Sequence, residues 1–260
     1  MTATPSSPHL TVITGASRGM GLAMARQLLG DGHDLLCISR RANPNLAELA
    51  QQHGRQCMQW ERDLADAAPV AAELAAWLQT QDTQHGTRHL ASATLINNAA
   101  LIPEIGPLDA MDASALATAL RVGLEAPMML SGAFLRATAA WTAARKVLNI
   151  SSGLGRRAMG SQSAYCATKA GMDHFTRCVA LEQQRLANGA RVCSLAPGVI
   201  DTDMQVQLRG ADAARFPDVG NFIGMKDKGM LSSPEQAAHA VLGYLARPDF
   251  GSNPVADVRD

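Results

Sequence analysis

The chain contains two tyrosines and four lysines, and one of each falls in the segment Ser163-Ala-Tyr-Cys-Ala-Thr-Lys-Ala-Gly171. Tyr165 and Lys169 stand four residues apart. On a helix that spacing stacks both on one face, about 6 Å apart along the axis. A phenol with a pKa near ~10 is too weak an acid for proton transfer at neutral pH. A neighbouring ammonium favours the phenolate and is expected to lower that pKa. Tyr165 could then give a proton to a carbonyl oxygen as hydride arrives at its carbon. Alone, the spacing is an ordinary helix-surface pair, so its company matters. Upstream, Asn149-Ile-Ser-Ser-Gly153 places two hydroxyls at a strand end. Successive strand side chains alternate, so only one of the two can face the pair. Ser152 is the candidate to hydrogen-bond a carbonyl and its developing alkoxide.

A second constellation lies near the N-terminus. Thr14-Gly-Ala-Ser-Arg-Gly-Met-Gly21 follows an apolar run and opens a helical pattern. Gly15, Gly19 and Gly21 permit a tight turn and close backbone approach to a pyrophosphate, with Ser17, Arg18 and Met20 in the same loop. No Gly-Lys-Ser/Thr follows, which argues against a triphosphate loop. The next apolar run ends in Ser39-Arg40-Arg41. An NAD site usually places a carboxylate there to hold the ribose 2′-hydroxyl. Two guanidinium groups bind a 2′-phosphate instead, and Arg18 could join them, so the expected cofactor is NADP(H). A solvated arginine pair is the competing reading.

Other elements must position these groups. Apolar strand-like runs at 9–15, 34–40, 56–62, 93–99, 146–152, 190–198 and 253–258 alternate with helical patterns at 20–32, 45–54, 68–81, 112–144, 162–187 and 233–247. Such alternation predicts an α/β fold: a single doubly wound domain over residues 1–260, with a parallel sheet of about seven strands covered on both faces. Residues 199–232, irregular and rich in Gly, Asp and Met, would form a long loop at a strand's carboxyl end, a candidate substrate lid. The chain has 260 residues, 47% of them hydrophobic, and zero formal net charge. That composition supports a substantial core and argues against nucleic-acid binding. No apolar run reaches the ~18–20 residues of a membrane span. The N-terminal segment lacks a signal pattern, and five cysteines without CxxC spacing read as reduced, so a cytoplasmic location is expected. The histidines form no metal signature.

With the glycine loop, Asn97-Asn-Ala99 and Tyr165-x-x-x-Lys169 in this order, the chain resembles the short-chain dehydrogenase/reductase family over essentially its whole length. Ser39-Arg-Arg41, the Ser151-Ser152 segment and Ala196-Pro-Gly-Val-Ile-Asp-Thr-Asp-Met-Gln205 look like its sepiapterin reductase-like branch, which includes benzil reductase. The resemblance implies reduction of dicarbonyl compounds with NADPH. It also implies a catalytic Ser152, thirteen residues before Tyr165, and a Lys169 that holds the nicotinamide ribose. By the same resemblance, Asp63 and Leu64 would contact adenine, with a turn-forming or capping Asp63 the alternative. Asn98 and Ala99 would contact ribose, and Pro197, Gly198, Ile200 and Thr202 would surround the nicotinamide carboxamide. Met204 and Asp257 are candidate substrate contacts, the latter as a carboxylate for an amino-pterin; a solvated tail aspartate is its competing reading. The long helices at 112–144 and 162–187 would pair across a two-fold axis in a homodimer or homotetramer. Two positions depart from the family pattern: Ala100 stands where a Gly usually follows Ala99, a mild change, and Gly123 replaces an Asn that supports a water leading from the lysine to solvent. A backbone carbonyl with an extra water could serve the relay instead. A non-catalytic NADP(H)-binding, redox-sensing protein is the alternative that Gly123 motivates.

Overall fold

The computed structural model describes residues 8–85 and 90–260; the polar segment read for a signal pattern lies largely outside them, in residues 1–7. The chain alternates β1 (His9–Thr14), α1 (Gly19–Gly30), β2 (His33–Ser39), α2 (Pro44–Gln52), β3 (Cys57–Glu61), α3 (Ala67–His85) and β4 (Ser92–Asn97). It continues with α4 (Ala113–Leu120), α5 (Ala126–Ala137), β5 (Ala144–Ile150), α6 (Ser163–Gln183), β6 (Arg191–Ala196), α7 (Asp203–Arg209), α8 (Val219–Asp227), α9 (Pro234–Ala246) and β7 (Val255–Asp257). The sheet order is β3-β2-β1-β4-β5-β6-β7, and every neighbouring pair is parallel. The strand order reverses between β1 and β4, which opens a crevice at their carboxyl ends.

Each face of the sheet has its own core. Leu28, Leu29, Val241 and Leu245 of α1 and α9 cover one side, and Leu74, Leu78, Leu130 and Phe134 of α3 and α5 cover the other. Helices on both sides explain why β1, β2, β4, β5 and β6 are buried almost throughout rather than at alternate residues.

Two expectations change. The helix predicted over 112–144 is interrupted by a π-helical turn, Arg121–Glu125, and stops at Ala137. Pro127 has no N–H to offer the carbonyl of Gly123, four residues back, and its ring crowds that carbonyl. The turn widens, and Ala126 N–H donates to Arg121 O instead. Thr138 ends α5 by donating its hydroxyl to Phe134 O at 2.8 Å. The region 199–232 is not irregular, since it carries α7 and α8.

Buried amides stitch the centre of the sheet to its helices. Asn97 Nδ2 donates to Asn149 Oδ1 (2.8 Å) and Ser131 Oγ (3.1 Å), and Asn149 Nδ2 donates to Thr176 Oγ1 (2.9 Å). Asn149 is fully buried. The conservative-volume change Asn149→Leu removes one partner from Asn97, which keeps Ser131, and one from Thr176, which keeps Met172 O. It should lower the unfolding free energy by about 1–3 kcal/mol, read from the midpoint of urea denaturation.

Candidate active site

Thr14 ends β1 and ties it to the residues after β4. Its hydroxyl accepts the backbone N–H groups of Asn98 and Ala99, both at 3.0 Å, while Asn98 Nδ2 donates back to Thr14 O (2.9 Å) and Gly15 O (3.2 Å). Gly15 turns the chain at φ +71°, outside the reach of most side chains. The first turn of α1 then comes so close that a Cβ on Gly21 would lie 2.2 Å from Gly15 O. Arg18 caps α1 without a side-chain bond, leaving the first-turn N–H groups open.

Beside this loop runs one cavity of about 1920 Å³. It takes in all of the residues singled out above: Gly15, Ser17, Arg18, Gly19, Met20, Gly21, Ser39, Arg40, Arg41, Asp63, Leu64, Asn98 and Ala99 at one end, and Ser152, Tyr165, Lys169, Pro197, Gly198, Ile200, Thr202, Met204 and Asp257 towards the other. The residues present fit a dinucleotide. Backbone room at the glycines and free helix N–H groups suit a pyrophosphate. Among the described residues the Ser39 hydroxyl is buried without a partner, and Arg40 and Arg41 are exposed with no ion pair. Arg18 instead pairs with Asp203 at 2.6 Å, and the Asp63 carboxylate caps a short 3-10 turn by accepting Ala65 N–H at 2.9 Å. Both are thus partly committed to the protein.

At the far end, α6 presents Tyr165 and Lys169 side by side, the ammonium 5.7 Å from the centre of the phenol ring. Both are buried, and Lys169 Nζ donates to Ile150 O at 2.7 Å. Ser152 is close enough to the phenol to pull its pKa down, and its hydroxyl accepts Leu154 N–H at 3.2 Å. Ser151 turns away, donating to Asp173 Oδ1 at 2.6 Å. A fall in the phenol pKa is expected from the ammonium together with the positive nicotinamide ring of an oxidised cofactor; within the protein itself burial sets the direction. Burial pushes Tyr165 up to about 12, with only Ser152 pulling back, and burial draws Lys169 down to about 8. Desolvation outweighs the ammonium, so Tyr165 is held as the neutral acid.

A family model for short chain dehydrogenases matches residues 9–213. The chain belongs to the short-chain dehydrogenase/reductase family. It is 35% identical to a benzil reductase ((S)-benzoin forming) of Bacillus cereus over 92% of this chain and 94% of that protein. It is 30% identical to sepiapterin reductase of Xenopus tropicalis over 96% of each. A short-chain dehydrogenase/reductase from Burkholderia vietnamiensis superposes with a TM-score of 0.65 at 35% identity, covering 98% of this chain and 99% of that one. Members of this family bind NAD(P) and act on carbonyl or hydroxyl groups.

Against the family pattern, the space at Gly123 is already taken. A Cβ there would lie 3.1 Å from both Cβ and Cγ2 of Thr168. Thr168 lies between the two candidate residues of α6 and donates its hydroxyl to Tyr165 O at 2.8 Å. Gly123 also sits within the π-helical turn, whose carbonyl Pro127 cannot satisfy. The segment 199–232 is pinned at its base, where Asp201 N–H donates to Ser232 O and Ser232 N–H donates to Val199 O. Its helices bring Met204, Leu208 and Phe222 together with Tyr165, Ile102, Leu154 and Met159 in an apolar cluster that lines the cavity. Asp257 is not a solvated tail residue. It sits in β7 with 8% exposure, and Arg259 donates to both of its oxygens at 2.6 Å. That guanidinium holds the Asp257 carboxyl below the usual range.

Apart from Met204, the apolar residues around Tyr165 went unnoticed in the sequence, as did Asp173. The first come from segments far apart in the chain and have no local signature. Asp173 was detectable, since it lies four residues beyond Lys169 on the same helix face.

Restoring the family side chain by Gly123→Asn should overpack against Thr168 and destabilise the protein by about 1–3 kcal/mol. Thermal denaturation would show a lowered Tm, partly recovered when Thr168→Ala is added. An unchanged Tm for the single variant would contradict this packing.

Proposed function

We propose that the chain is an NADPH-dependent carbonyl reductase for a small, fairly apolar ketone or diketone. The observation that carries this reading is a buried, neutral Tyr165 beside Lys169 and Ser152, in the same cavity as Arg40 and Arg41, which have no ion pair among the described residues. Hydride is the chemistry the cofactor supplies when bound. Gly15, Gly19, Gly21 and the N-terminus of α1 would hold its pyrophosphate, and Ser39, Arg40 and Arg41 its 2′-phosphate. The Ser152 hydroxyl and the Tyr165 phenol hydrogen-bond the substrate oxygen and orient the carbonyl carbon. As that oxygen gains charge, Tyr165 releases its proton to it and an alcohol results. The Lys169 ammonium stabilises the phenolate left behind. Proton return through the Gly123 backbone and a water is consistent with the π-helical turn. The apolar cluster around Tyr165 and the similarity to a benzil reductase both favour an apolar dicarbonyl substrate.

Exposed Met128 on α5 and Leu181 on α6 would support pairing with a second copy, as a homodimer or homotetramer. No helix among the described residues is long and apolar enough to cross a membrane, which agrees with a cytoplasmic location. The non-catalytic reading rests on Gly123 alone, and a Tyr165-dependent turnover would exclude it.

NADPH mixed with the protein and benzil, a quinone or sepiapterin should lose absorbance at 340 nm. Tyr165→Phe should lower kcat by about 10²–10⁴-fold with the cofactor Kd little changed. No oxidation across a broad carbonyl panel would sink the proposal.

Replacing both Arg40 and Arg41 by Ala should weaken NADPH binding far more than NADH binding. Equal losses in a fluorescence titration with the two cofactors would refute the 2′-phosphate assignment.

A further inference from the structure

Asp173 lies one turn beyond Lys169 on α6 and is 1% exposed. A carboxylate at that depth is costly unless it is paired and hydrogen-bonded. Its Oδ1 accepts the hydroxyls of Ser151 (2.6 Å) and Ser194 (2.7 Å), and Arg156 Nε stands 3.3 Å from Oδ2. The three donors come from three segments that also carry the reaction's groups. Ser151 precedes Ser152 at the end of β5. Ser194 lies on β6, which leads into Pro197-Gly198. Arg156 belongs to the turn that follows Ser152, and its Nη2 reaches on to Ala256 O of β7 at 2.7 Å. That turn presses against α6 so closely that a Cβ on Gly155 would lie 2.9 Å from Lys169 O and 3.0 Å from Asp173 Oδ2.

We propose that Asp173 is a positioning residue for carbonyl reduction, clamping the segments that flank Ser152 and supplying the fixed negative charge that keeps Lys169 an ammonium. This rests on the carbonyl-reductase reading above. The electrostatics agree: burial lowers the Lys169 pKa to about 8, and Asp173 is the group that works against it. The other charged or titratable groups at this junction are Tyr165 on the same helix, Arg156 from the turn, Cys193 on β6 and, through Arg156, Asp257 on β7. Among the described residues, Arg156 is the one cation within ion-pair distance of the same carboxylate. Removing it should leave more of the Asp173 charge for Lys169. The two changes therefore push Lys169 in opposite directions.

The test is a pH titration of ¹³Cε-labelled lysine by NMR, together with the pH profile of kcat/KM for NADPH-driven reduction. Four lysines keep the spectrum sparse, and Lys169→Met assigns the resonance. In the unaltered protein Lys169 should titrate near pH 8, and kcat/KM should fall as pH rises through that value and the ammonium is lost. Asp173→Asn can still accept from both serines but lacks the charge. It should move the Lys169 titration and the alkaline limb down by at least about half a pH unit. Arg156→Gln, on a side chain one-third exposed, should move both upward. Ser194→Ala should leave the titration in place and lower kcat severalfold, since it loosens the clamp but spares the charge. An unmoved titration in both charge variants would overturn the electrostatic role, and Arg156→Gln decides the matter if Asp173→Asn does not fold. An unchanged kcat in Ser194→Ala would overturn the clamp. If the unaltered protein turns over no carbonyl, the functional reading fails while the NMR titration still reports on the charge.

Discussion

The reciprocal bonds between Thr14 and Asn98 are the constraint on which the site depends. At the switch point the sheet must part, because the connections of β1 and β4 leave to opposite faces. The Thr14 hydroxyl and the Asn98 amide satisfy the backbone groups exposed by that parting. They also fix the glycine loop against the end of β4, where Gly15 and Gly21 leave no room for a side chain. The cleft is therefore held open by hydrogen bonds rather than by bulk, with backbone on its walls and a helix N-terminus pointing in.

Farther along the crevice, the fold spends stability on buried polarity. Lys169, Asp173, Asn97 and Asn149 are all sequestered, and each has acquired partners from other segments. Burial of a cation and an anion one turn apart lets the Asp173 charge offset part of the desolvation of Lys169, while Asp173 itself is held by Ser151, Ser194 and Arg156. The same desolvation keeps the Tyr165 proton on its oxygen, the form an acid must take before it can act. The apolar residues of α7 and α8 bring further hydrophobic surface to the space beside the phenol.

Much of the fold was legible because it is written locally. Apolar runs of strand length, glycines at turns and the Ser233 cap with Pro234 at the first position of α9 all act within a few residues. The boundaries failed where a local pattern competed with a nonlocal event. The apolar stretch 112–144 looks like one helix, but Pro127 forces a π-helical turn and the segment from Ala144 is taken into the sheet beside β4 and β6. Residues 199–232 have little periodicity of their own, and α7 and α8 pack on Tyr165 and Ile102 rather than on each other alone.

By itself the sequence determined the α/β alternation, the glycine loop, the spacing of Ser152, Tyr165 and Lys169, and the arginines after β2, since each is a matter of residue type and distance along the chain. Only the tertiary structure decided the rest. It set the direction of the Tyr165 pKa, because desolvation depends on what covers the phenol. It withdrew Asp257 from solvent into β7 and gave it to Arg259. It filled the place of a missing asparagine with Thr168. And it brought Ser151, Ser194 and Arg156 onto one carboxylate, an arrangement that exists only when strands far apart in the chain end side by side.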